Sequence, residues 1–255
     1  MELNAGYGYE LLSDATATDY IHKFFPADAD LLNTWAKVDD YILRADLIRY
    51  IALLGDGGIY SDMDTDCTRP IADWLSPDLE EAADVVVGVE WDQRAEHAHK
   101  DRADAAQFCS WTIMAKPGSK HMRHVVDVTL EKLRGAEHEG SIRAANESEV
   151  LRLTGPRASF RLFVVSRTSL VLTCWSQGFT DALFRSMSLE TGDPITATNI
   201  SGLTSPKLFG SVLVMPISSF ASGQDHEGSM AWGNEQQLLS HHWSGFHTWK
   251  VDYQS

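Results

Sequence analysis

RADLIRYIALLGDGGIYSDMDTDCTRP, residues Arg44–Pro70, holds in order a helix, a glycine-forced turn, a short strand and a cluster of carboxylates. Ala45, Leu47, Ile48, Ile51, Ala52 and Leu54 fall at helical spacing and give the segment an apolar face. Gly55, Gly57 and Gly58 stop that helix, because glycine accepts the left-handed backbone that a helix end requires. Ile59 and Tyr60 open a β-type run that delivers Asp62, Asp64 and Asp66 at alternate positions. Along a continuous strand these three carboxylates share one face. Carboxylates crowded together repel unless a cation sits among them, and a divalent metal fits that role.

An isolated D-x-D also occurs in solvated turns. DMDTD opens like a calcium-binding EF-hand loop, but Cys67 occupies the sixth position, where glycine is needed, and Asp73 the twelfth, where glutamate is needed. The longer string is more specific. Asp46 and Arg49 lie three residues apart on one helix face, followed by G-G-I-Y and D-x-D. This arrangement resembles the donor-binding core of glycosyltransferase family 32, including the branch of fungal initiation-specific α-1,6-mannosyltransferases. Glucosylating bacterial toxins share a similar core.

The chain has 255 residues, 44% of them hydrophobic, with eight tryptophans, enough to bury a core. A formal net charge of −15 argues against nucleic acid or an anionic membrane surface as partner. No apolar run is long enough to span a bilayer, and MELNAGYGYELLSD lacks the pattern of a signal peptide. Cys67, Cys109 and Cys174 are too scattered for a disulfide framework or a zinc site. Asn146 and Asn199 begin glycosylation sequons, which matter only in a secretory compartment. Nothing in the sequence sets an oligomeric state.

In chain order, Tyr7–Leu12 is expected as a strand, with Ser13 or Asp14 capping a helix that stops near Phe25-Pro26. A short helix follows over Asp28–Trp35, and another short turn and helix over Ile71–Leu75. Asp84–Glu90 is β-branched and apolar like a buried central strand. It delivers Glu90, Trp91 and Asp92 at its carboxyl end, either toward a ligand or as the start of a loop. Residues 93–105 are charged and apolar-poor, so His97 and His99 read as solvated loop residues despite their ligand-like spacing. Phe108–Ala115 reads as a strand, Pro117-Gly118 as a turn, Lys120–Leu133 as an amphipathic helix, and Val212–Phe220 as a strand running into a loop.

The resemblance covers nearly the whole chain and implies one α/β domain of GT-A type over residues 1–255, a mostly parallel sheet between helices. The family's first strand and membrane anchor have no counterpart in the sequence. Arg157–Gln177 departs from the family, which passes from T-G-P to G-F-T-D within a few residues. The segment has no acidic residue, and it begins and ends on residues whose codons can hold splice signals. It reads as a retained intron or as an edge hairpin.

By resemblance, Asp62 and Asp64 are the catalytic carboxylates. Asp46, Arg49, Gly58, Tyr60, Asp62 and Gly245 bind the donor. Asp64 and His242, with Asp62 as a further ligand, hold Mn²⁺ or Mg²⁺. His242-Trp-Ser-Gly245 and Trp249 resemble a late metal and diphosphate signature, with His241 the adjacent alternative. Glu90, Asp92, Gln107, Trp111 and Trp249 fall around the sugar or acceptor, although Trp111 also suits a core position. The implied reaction moves mannose from GDP-mannose to a mannose hydroxyl of an N-linked glycan on a glycoprotein, in the Golgi. Other readings are a different acceptor, such as inositol-phosphoceramide, and an inactive sugar-nucleotide-binding homologue.

Overall fold

A computed structural model describes residues 2–92, 106–145, 147–155, 178–224 and 228–242. Helix α1 (Asp14–Phe24) starts after Ser13, whose N–H donates to the Thr16 hydroxyl at 3.0 Å. Helix α2 (Ala29–Lys37) starts after Asp28, whose carboxylate accepts the Leu31 N–H. Both bonds satisfy donors that helix starts otherwise leave open. Tyr7–Leu12 is not a strand. It is irregular, with Tyr7, Tyr9 and Leu11 exposed, since β-forming side chains make a strand only where a neighbouring ladder accepts them.

Helix α3 (Tyr41–Gly55) confirms the helix read from Arg44 onward and is capped by the Asp40 carboxylate. Leu43, Leu47, Tyr50, Ile51, Leu53 and Leu54 are all buried. The following turn is pressed against the end of another strand: a Cβ on Gly57 would lie 2.5 Å from the Pro117 nitrogen, and its φ is +68°. Only glycine fits there. Next come β1 (Gly58–Ser61), β2 (Thr65–Cys67), α4 (Pro77–Ala82), β3 (Val85–Asp92) and β4 (Ala106–Ala115). They are followed by α5 (Lys120–Gly135), α6 (Glu147–Leu153), α7 (Gly178–Thr191), α8 (Ala197–Ile200), β5 (Lys207–Phe209), β6 (Val212–Met215), α9 (Ile217–Phe220) and β7 (Leu239–His241).

The main sheet has the order β1-β4-β3-β6-β5, and β2 pairs with β7 in a separate ribbon. Among the described strands of this sheet, only β3–β6 is a parallel pair; β1–β4, β3–β4 and β5–β6 are antiparallel. The sheet is therefore mixed, where a mostly parallel one was expected. A parallel neighbour needs a crossover element that covers the sheet, and residues 93–105 carry no apolar stripe for that task. Even so, β1, β3 and β6 run in one direction, so their carboxyl ends meet at one edge. Helix α5 packs against α3 and α7, both of which reach β4, and Tyr50 stacks on Phe179 at 5.3 Å. Among the described residues no helix is long and apolar enough to cross a membrane.

His97, His99, Asn146, Arg157–Gln177, Gly245 and Trp249 lie outside the described residues. Pro156 also lies outside them, but Gly155 and Gly178 on either side are described, and the chain meets there. The Gly155 carbonyl accepts the Phe179 N–H at 3.0 Å, and Gly178 has φ +82°. A chain joined as Gly155-Pro156-Gly178-Phe179 would have the sequence a type II β-turn prefers, proline second and a positive-φ glycine third, with the Gly155–Phe179 bond already present. Deleting 157–177 is therefore expected to leave the melting temperature unchanged or higher, since the shorter loop saves about 1–2 kcal/mol of closure entropy. Thermal melting measures this; a clearly lower midpoint would show that the segment belongs to the core. Sequencing the transcript across the junction tests its origin.

Candidate active site

Past Ser61 the backbone turns at once. The Thr65 N–H and hydroxyl both donate to the Asp62 carbonyl, at 3.2 and 2.7 Å, closing a turn over Met63 and Asp64. Three alternate aspartates share a face only on an unbroken strand, and this turn breaks the alternation. Asp62 and Asp64 stay together while Asp66 continues into β2. Strand β2 pairs antiparallel with β7, with Thr65 opposite His241.

That register brings a histidine from late in the chain to the carboxylates. His241 Nε2 lies 3.2 Å from Asp64 Oδ1, and ligand atoms of Asp62, Asp64 and His241 all fall within 4.8 Å of one another. His242, expected in that role, donates its backbone N–H to the Asp64 carbonyl and turns its ring to Asp66 at 2.8 Å. Neighbouring side chains on a strand point to opposite sides, so the one-residue difference decides which histidine joins the cluster. Burial lowers the His241 pKa against the pull of Asp64 and Asp62, which keeps the imidazole neutral and able to bind a metal.

The Asp62 carboxylate is fixed from behind. Its Oδ1 accepts the Tyr60 hydroxyl at 2.6 Å and lies 3.9 Å from Arg49 Nη1, while the Asp62 N–H donates to the Trp111 carbonyl at 2.9 Å. Burial pushes the Tyr60 hydroxyl's pKa well up, so it remains a donor. Arg49 Nη1 also donates to the Ser110 carbonyl at 2.9 Å, Nη2 pairs with Asp46 Oδ1 at 2.7 Å, and the guanidinium lies over the Tyr60 ring. Burial works against the Arg49 charge, but Tyr60, Asp46 and Asp62 more than restore it. The other Asp46 oxygen accepts the Thr154 hydroxyl at 2.6 Å. Burial pushes this carboxyl's pKa up, and the guanidinium and hydroxyl pull against that shift. Asp46 and Arg49 share a helix face as their spacing requires, yet each exposes less than a tenth of its surface. Ser110 and Thr154 complete this network, and only their burial in the fold marks them.

The residues expected around the sugar divide. Asp92 is 2% exposed and accepts from the Ser201 hydroxyl and the Gly202 N–H, tying the loop after α8 to the carboxyl end of β3. A buried carboxylate needs such donors, and the chain itself supplies them. Gln107 is buried opposite Trp91, and Glu90 is half-buried at the end of β3. Trp111 is 4% exposed and lies behind His241, its indole stacked on the imidazole with centroids 4.7 Å apart. It takes the core position. Gly58 opens β1 with φ +89° and open space where a Cβ would be.

The signature of the glycosyltransferase sugar-binding region containing a DXD motif matches residues 1–80, which include Asp46, Arg49, Tyr60, Asp62 and Asp64. The initiation-specific α-1,6-mannosyltransferase of Schizosaccharomyces pombe is 30% identical over 253 residues, covering 96% of this chain and 57% of that protein. The protein of the same name from Candida albicans is 24% identical over 277 residues, covering 98% of this chain and 64% of the relative. The chain thus spans less than two thirds of the length of either relative. Residues 1–80 thus match the DXD-containing sugar-binding region of glycosyltransferases, and nearly the whole chain is similar to fungal initiation-specific α-1,6-mannosyltransferases.

Proposed function

We propose that the protein is a metal-dependent, retaining glycosyltransferase that moves mannose from GDP-mannose to a mannose hydroxyl of an N-linked glycan, making an α-1,6 linkage. The observation that carries this reading is the gathering of Asp62, Asp64 and His241 within 4.8 Å inside a chain that matches the DXD region. Two carboxylates and a neutral imidazole form a donor set suited to Mn²⁺, and Mg²⁺ is the alternative. When bound, the cation supplies Lewis-acid neutralisation of the charge that builds on the departing diphosphate.

The remaining work falls to side chains already in place. Tyr60 and Arg49 hold the Asp62 carboxylate in one orientation before the donor arrives, so no reorganisation is spent on it during the reaction. Asp46 keeps Arg49 turned toward that carboxylate, and the pair, itself buried, acts on the donor through Asp62. Glu90, at the same edge of the sheet, lies on the side where the acceptor enters. No side chain is assigned as base; the leaving phosphate takes the acceptor's proton. A place in the secretory pathway, the Golgi in particular, is part of the same proposal. The test is a panel of nucleotide sugars assayed with and without Mn²⁺, following donor hydrolysis and transfer to oligomannosides; absence of both with every donor overturns the reading.

Asp62→Asn and Asp64→Asn keep size and lose charge. Each is expected to reduce transfer by about a thousandfold or more, several kcal/mol of transition-state stabilisation, at an unchanged melting temperature. Steady-state rates and melting curves check this together.

His241→Ala is expected to weaken Mn²⁺ binding measured by calorimetry, whereas His242→Ala leaves it close to wild type. The reverse order would place the ligand at the neighbouring position and contradict the β2–β7 register.

A further inference from the structure

We propose that Trp111 is a positioning residue that fixes both halves of the metal cluster, the aspartate turn and the histidine, an inference that rests on reading Asp62, Asp64 and His241 as metal-binding. Its backbone carbonyl accepts the Asp62 N–H at 2.9 Å, at the point where β1 gives way to the acidic turn. Its indole stacks on the His241 ring, with centroids 4.7 Å apart and planes 28° from parallel. The indole N–H donates to the Phe220 carbonyl at 3.2 Å, so the ring cannot swing away from the histidine. One residue therefore touches the aspartate by its main chain and the histidine by its side chain.

The histidine needs this support. Strand β7 has three residues and, among the described residues, pairs only with the equally short β2. A two-stranded ribbon of that length is not stable by itself. Leu238 ties it down by donating to the Ser219 carbonyl and accepting from the Thr68 N–H. Those bonds fix the backbone of the ribbon and leave the His241 torsions open. A flat indole at stacking distance selects one ring orientation, which orders the ligand before a cation arrives. Partners that orient a metal's ligands are typically worth 10- to 100-fold in metal affinity or activity.

The experiment uses the full chain, with Mn²⁺ alone as probe, followed by calorimetry in the absence of nucleotide. Trp111→Leu removes the stack and the indole N–H; Trp111→Phe keeps an aromatic face and loses the N–H. Trp111→Leu is expected to raise the Mn²⁺ dissociation constant about 10- to 100-fold, with Trp111→Phe in between. In a His241→Ala background the Trp111→Leu effect is expected to disappear, because it acts through the imidazole. If Trp111→Leu does not fold, the same cycle is run with Trp111→Phe. Wild-type affinity in a folded Trp111→Leu chain, or an equal loss with and without His241, overturns the proposal. A wild-type chain that takes up no Mn²⁺ defeats the metal reading and this inference with it; a wild-type chain that binds Mn²⁺ no better than the Trp111 variant defeats this inference alone.

Discussion

Repulsion between Asp62 and Asp64 is the constraint that the surrounding structure is built to withstand. Two carboxylates whose ligand atoms share a space under 5 Å across favour moving apart or taking up a proton. Arg49, 3.9 Å from Asp62, is a nearby permanent positive charge, and Asp46 already claims half of its fork. Three carboxylates thus face one guanidinium, with a neutral imidazole beside them. The excess is two negative charges, which a divalent cation balances with an equal and opposite charge. The buried Asp46–Arg49 pair serves this balance: it stiffens Asp62 without cancelling the charge that draws a cation in.

Local features of the site were legible in the sequence because they depend on local periodicity. The apolar spacing of Ala45–Leu54, the shared face of Asp46 and Arg49 and the glycine stop all appear in α3 and the turn after it. Features set by pairing across the chain were not. Whether His241 or His242 meets Asp64 depends on the β2–β7 register, which two adjacent histidines cannot reveal. The alternation of Asp62, Asp64 and Asp66 suggested one face, and a Thr65 bond invisible to periodicity turned the chain. Trp111 and Asp92 offered side chains suited to sugar binding; the fold uses the first as a wall for a histidine and the second as a latch for a loop.

The same distinction explains the sheet. The apolar runs of β3 and β6 identified buried strands correctly but carried no information on direction. Strand β4 returns antiparallel between β1 and β3, yet β1, β3 and β6 still send their carboxyl ends to a common edge. What positions a ligand there is the common direction of those three strands, whether or not each is bonded to a parallel neighbour.

The pairing of β2 with β7 also has a consequence for synthesis. A ribosome delivers the carboxylates of the acidic turn well before the strand bearing His241. Until then the nascent polypeptide has an unpaired β2 edge and two aspartates with no imidazole between them. On the proposed metal reading, a partial chain therefore lacks one of the three ligands until β7 is made. That order keeps a cation from stabilising unfinished folds, which a bound ligand otherwise does by mass action.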